Sequence, residues 1–227
     1  MEIHEVKSIA LEEKSTFKGT PIRYEAEYFY CDNTEEIYSN EEMLKKNDIA
    51  MKDAYRKAIE AKYARIESQR EYNGDANLNL DKVIDVIRYY ASSTAVKGLY
   101  KVKLMKMLWY GDDLAYKQRD HAITGLAYQA LPMGAVPIGH DLIIELKEVP
   151  CEEIEIGDGT AYRFKLSTPC VFAALTEEEK EILDKVIKRV GRMTTEEIVN
   201  FMHQEEAYKK TKLKDMIDFK YAKELQL

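Results

Sequence analysis

From Ile3 to Tyr38 apolar side chains tend to alternate with charged ones, most regularly in Ile22-Arg23-Tyr24-Glu25-Ala26-Glu27-Tyr28-Phe29-Tyr30. In an extended chain a period of two sends every second side chain to the same face, so this stretch reads as two or three half-buried antiparallel strands. Gly19-Thr20-Pro21 supplies the turn between the first and second, and Asp32-Asn33 punctuates the second before Ile37-Tyr38. The period changes at Ser39-Asn40-Glu41-Glu42, where a cap residue is followed three positions later by glutamate. Helix-forming residues then run to about Gln69, with Asn47-Asp48 as a candidate break, and the mixed charges along the run suit a solvated face.

Glu71-Tyr72-Asn73-Gly74-Asp75-Ala76-Asn77 is polar and turn-rich and marks a domain boundary. Beyond it, Val83, Ile84, Val86, Ile87 and Tyr90 recur at helical spacing, and Val102 to Tyr116 forms a second, more apolar helix. Ile154, Ile156, Tyr162 and Phe164 flank Gly157-Asp158-Gly159, which predicts a hairpin over 152–165 with a tight Asp-Gly turn. Thr176 with Glu179 and Thr194 with Glu197 are capping boxes that open helices at about 177–190 and 195–208, and a last helix is expected at about 213–224. The fold class is therefore α+β. A small β-meander and helix occupy 1–72, and a mostly helical domain with one hairpin occupies 78–227.

Composition narrows the function classes. The chain has 227 residues, 45% hydrophobic and 33% charged, which is a globular balance. With 34 basic and 41 acidic side chains the net charge is −7, so no overall positive field gathers phosphate backbones, and nucleic acid is not a default partner. Cys31, Cys151 and Cys170 are odd in number and far apart, which fits a reducing interior rather than a disulfide framework. The opening Met1-Glu2-Ile3-His4-Glu5 lacks the basic flank and apolar run of an export signal, and no segment approaches the roughly 20 apolar residues needed to span a bilayer. A cytoplasmic protein without membrane contact is expected.

Catalytic patterns are scarce. His4, His121, His140 and His203 form no metal or triad pattern. His121 and His140 flank the most unusual segment and are candidates for an acid and a base, but with no nucleophile or ligand at recognisable spacing they read as loop histidines. Neither a phosphate-binding glycine loop nor a nucleophile elbow is present. Asp112-Asp113, after Trp109-Tyr110-Gly111, is a candidate carboxylate pair for a metal. The structural alternative, acceptance of backbone or tyrosine hydrogen bonds, is favoured because no further acids stand at coordinating spacing. Glu177-Glu178-Glu179 suits the positive end of a helix. Core packing accounts for most of the sixteen tyrosines, with interface contacts for a few. No enzyme is expected.

The run Lys103-Leu104-Met105-Lys106-Met107-Leu108-Trp109-Tyr110-Gly111-Asp112, followed by Ile123-Thr124-Gly125, Tyr128 and Gly134-Ala135-Val136-Pro137, resembles the SocA-type antitoxin domain, also called Panacea. That family shows a K-L-x-K-L-L-Y-x-x-D-like helix, an I-T-G turn, a tyrosine and a G-P-V-like turn in the same order. Leu175 to Val190, Met193-Thr194-Thr195 and Phe201 to Lys209 are similar to its closing helices, so the resemblance covers about 80–227. Ala135 stands where the family usually has proline. Residues 20–57 look like a remnant of the N-terminal module of MqsA-type antitoxins, through Tyr28, Tyr30, Cys31 and Asp53-Ala54-Tyr55-Arg56-Lys57. Such modules hold zinc with two C-x-x-C knuckles. Here position 34 is threonine and there is no upstream pair, so neither zinc nor another cofactor is expected. Only one helix and a linker fit between Glu41 and Leu80, too few for the family's helix-turn-helix, so DNA is not an expected partner.

The resemblance implies an antitoxin of a type II pair, phage-associated or chromosomal, that neutralises a cognate toxin by direct contact. Trp109, Asp112, Tyr116 and Tyr128 are the expected partner-binding residues, framing the contact surface or ordering it. Rival readings are a transcriptional regulator, a protease adaptor and a mobile-element protein that blocks a host defence enzyme. Homo-oligomerisation is left open.

Overall fold

The computed structural model describes residues 6–146, 148–157 and 159–227. The chain divides into two compact units, one up to Lys62 and one from Tyr63 to Leu227.

In the first unit β1 (Val6–Phe17) and β2 (Thr20–Cys31) form a long antiparallel ribbon, with Val6 opposite Cys31 and Phe17 opposite Thr20. The turn is shorter than Gly19-Thr20-Pro21: Lys18 and Gly19 alone make it, at φ of 47° and 78°, and Pro21 lies inside β2 opposite Thr16. Two successive positive φ values match the twist of a two-residue hairpin. β3 (Glu36–Tyr38) pairs with the end of β2 and completes the meander. Even-numbered β2 residues Thr20, Ile22 and Ala26 are buried, as are Met43, Tyr55 and Ile59 of helix α1 (Glu41–Ile66). The cap of α1 is Asn40 rather than Ser39, since the Asn40 side chain accepts from the Met43 N–H at 2.8 Å. The helix does not break at Asn47. That side chain turns outward, accepting from the Glu27 N–H at 2.8 Å and donating to the Glu27 carbonyl at 2.9 Å, so it fastens α1 to β2.

The second unit is built around one helix. After α2 (Arg70–Asn73) and α3 (Leu80–Ser92) comes α4 (Lys101–Arg119), in which every residue from Lys103 to Ala115 is buried. A helix enclosed on all sides has no polar stripe, which accounts for its weak amphipathic pattern. Around it lie a hairpin of β4 (Tyr128–Leu131) and β5 (Gly134–Pro137), α5 (His140–Glu145), a hairpin of β6 (Cys151–Ile156) and β7 (Gly159–Phe164), and α6 (Glu177–Val190). α7 (Thr195–Met202), α8 (Glu206–Lys209) and a 3₁₀ turn (Phe219–Glu224) close the chain. Both capping boxes form as the sequence predicts, at Thr176 with Glu179 and Thr194 with Glu197. At the tip of the second hairpin Gly157 takes φ 60°, and the expected Asp158 turn position lies outside the described residues, as does His4.

Two helices are shorter than their periodicity suggests. The helix expected over 195–208 stops at Met202, and the chain turns so that Glu205 can accept the Tyr110 hydroxyl and the Gln226 N–H. The helix expected over 213–224 begins only at Phe219. Residues 214–217 spend their backbone groups on β4 instead, through Lys214 N–H to Ala130, Ala130 N–H to Asp215 and Ile217 N–H to Tyr128.

Candidate functional site

The middle of α4 is anchored by Asp112. Its Oδ1 accepts the backbone N–H of Ile123 at 2.9 Å and of Thr124 at 2.8 Å, and its Oδ2 accepts the hydroxyls of Thr124 and, at 2.6 Å, Tyr128. Four donors converging on one buried carboxylate are what makes such a group tolerable in an apolar interior. Burial still pushes the Asp112 carboxyl above its ordinary range, opposed by those hydrogen bonds. The Thr124 hydroxyl also accepts from the Leu126 N–H at 3.1 Å, so the loop entering β4 is wound around this residue. Gly125 follows at φ 71°, where a Cβ would stand 2.3 Å from the Asn77 carbonyl oxygen. Only glycine allows that approach.

One turn apart at the start of α4, Lys103 and Lys106 are both buried and are treated very differently. Lys103 Nζ donates to the carbonyls of Lys97, Gly191 and Met193 at 2.6, 2.8 and 2.6 Å, which uses all three ammonium donors. Lys106 Nζ has one carbonyl, Ala135, at 3.1 Å, and no carboxylate pairs with it among the described residues. Burial lowers both amines, Lys103 to about 8 and Lys106 to about 7. Gly134 makes room for the second: a Cβ there would lie 2.7 Å from Met202 Cγ and 3.0 Å from Lys106 Cε.

Beside Lys106 a groove of about 280 Å³ opens between α4 and the β4–β5 hairpin. Val102 and Met105 wall it on one side and Leu131, Pro132, Met133 and Val136 on the other, with Lys101 and His140 completing the lining. Its three polar lining residues are thus all basic, although Lys101 is held by Asp141 at 2.7 Å.

Residues 104–209 match the family model described as antitoxin SocA-like, Panacea domain, just under half of the chain. Over that stretch the chain is similar to a Panacea domain. No curated protein and no solved structure matches it. The match is narrower than the 80–227 read from the sequence, and the likeness of residues 20–57 to an MqsA-type module gains no support from it.

Within the matched stretch the structure brings Asp112 and Tyr128 into direct contact and places Trp109 and Tyr116 on the same helix as Asp112. Trp109, Asp112 and Tyr128 are 1%, 1% and 0% exposed, so their side chains order the domain from inside. Tyr116 is half-buried against Phe219, with ring centroids 5.4 Å apart. Asp113 does not share the work of Asp112. It is buried, neither oxygen has a hydrogen-bond partner, and desolvation together with the nearby Glu205 raises its pKa strongly. Glu205 is raised as well, chiefly by burial. No group of three or more potential metal ligands occurs among the described residues. None of the described helices is long and apolar enough to cross a membrane.

The sequence reading missed Lys106 and the groove. Nothing in the spacing marked it: two lysines three apart share one helix face, which reads equally well as a solvated stripe. The hairpin wall gave no signal, because β5 is buried at every position and shows no alternation.

Proposed function

We propose that this Panacea domain protein is a non-catalytic antitoxin of a type II pair that neutralises a cognate toxin by direct protein binding. The observation that carries this reading is the family match over 104–209, which covers α4, the hairpin and the helices packed against them. The interior described above supports it in physical terms. Lys103, Trp109, Asp112 and Tyr110 of α4 are buried and packed or bonded inside the domain, which leaves recognition to its outer surface. In this reading Trp109, Asp112 and Tyr128 shape the recognition surface from beneath, and half-buried Tyr116 stands nearest to solvent. Occlusion of the toxin by an ordinary interface of about 1,600 Å² is sufficient mechanism.

The test is co-expression. The gene adjacent to this one is expected to arrest growth when expressed alone and to be harmless together with this chain, and the two products are expected to copurify. Growth arrest that persists with every neighbouring gene product would overturn the reading.

A further inference from the structure

Lys103 and Lys106 start from the same chemistry on the same helix, and only one is satisfied. Lys103 donates to three carbonyls, whereas Lys106 donates to one and has no counter-ion among the described residues. A buried ammonium with unspent donors is costly unless something completes its shell. Lys106 also lines the α4–hairpin groove, whose other walls are apolar and whose polar lining residues are all basic. We infer that this groove takes the C-terminal residue of a partner polypeptide, an apolar side chain seated between Met105 and Met133 and its terminal carboxylate on Lys106.

Lys101 and His140 lie 2.7 and 3.4 Å from Asp141, so the charge complementarity that selects an anion rests on Lys106, which has no carboxylate beside it among the described residues. Size selects the end of a chain: about 280 Å³ lies at or below the small end of ligand pockets and suits one residue. A C-terminal residue brings an apolar side chain and a carboxylate together within that volume. Met133, 48% exposed at the hairpin turn, and Met105, buried below it, give the adaptable thioether walls suited to such a guest. If the partner is the toxin, the groove locates part of the antitoxin contact, and in that form the inference rests on the proposed function.

The probe is N-acetyl-leucine compared with its uncharged amide, titrated into full-length protein labelled at the methionine methyl groups and followed by NMR. Expected are shifts of the Met105 and Met133 methyl signals, with the acid binding about tenfold more tightly than the amide, the scale of one charge-assisted hydrogen bond. In Lys106→Met that preference is expected to vanish. The inference is overturned if neither signal moves, if acid and amide bind alike, or if the preference survives in Lys106→Met. In cells, Met133→Glu is expected to abolish protection with an unchanged thermal melt, whereas Met133→Leu protects. Protection by both sinks the groove while leaving the antitoxin reading intact; failure of the unsubstituted chain to protect sinks the antitoxin reading while the methyl titration still decides the groove.

Discussion

Asp112 and Tyr128, sixteen residues apart, meet through a 2.6 Å hydrogen bond that ties the centre of the buried helix to the first residue of β4. The pair sets the position of everything from Ile123 to Pro137. Asp112→Asn puts an amide NH₂ or a single carbonyl oxygen where two oxygens accepted four donors. The expected loss is about 2–4 kcal/mol, with Tyr128→Phe at about 1.5–3, because hydrogen bonds to charged groups are worth that much and stranded donors cost more. Urea unfolding monitored by Trp109 fluorescence measures both.

A second expectation concerns Gly125. Alanine there combines a positive φ with a Cβ 2.3 Å from a backbone oxygen, so strain of about 1–2 kcal/mol adds to overpacking of about 1–3. Gly125→Ala should lower the unfolding midpoint more than Gly157→Ala, where φ is also positive and a Cβ meets open space. Equal losses would mean that the contact with Asn77 does not matter.

The two buried lysines should answer the same substitution differently. Lys103→Met strands three carbonyls and is expected to cost about 2–4 kcal/mol. Lys106→Met removes a charge that lacks a counter-ion and is expected to be neutral or stabilising at pH 6. Differential melting of the two variants against the parent at one pH is enough to check this.

The same lysines give a pH dependence whose sign is fixed. Burial lowers Lys106 to about 7 and Lys103 to about 8, from an ordinary 10.5. Above those values the folded chain has lost protons that the unfolded chain still binds, so their contribution to stability rises with pH. In Lys106→Met the rise between about pH 7 and 9 should be shallower than in the parent. A steeper or unchanged slope in paired melts across that window contradicts the depressed amine.

Trp109→Ala, finally, is expected to lose about 3–5 kcal/mol by opening a cavity beside Tyr110, and to lose protection because the domain no longer folds. Circular dichroism on the purified variant separates that outcome from the loss of contact expected for Met133→Glu.

Much of this architecture could be read from the residues. Alternation in 22–30, the two Thr–Glu capping boxes and the Lys103–Asp112 signature each depend on neighbours in the chain, and each was legible. The parts that were not depend on partners far away. Leu213, Met216 and Ile217 have helical spacing, yet the backbone from Lys214 to Ile217 pairs with β4, a choice made by an open strand edge more than eighty positions upstream. Asn47 looks like a helix breaker until Glu27 supplies a second strand's backbone for it to hold. Of the expected partner-binding residues, the sequence marked their chemistry but not their depth, because a tryptophan or tyrosine suits an interior and an interface equally well.

The enclosure of α4 has a last consequence for how such proteins diversify. Its recognisable residues face inward, so the features that mark kinship and the features that would choose a partner occupy different layers of the molecule. Replacing the hairpin turn or the groove rim leaves Lys103, Asp112 and their bonds untouched. Substitutions on the exterior are therefore expected to change what the surface can bind before they change the fold.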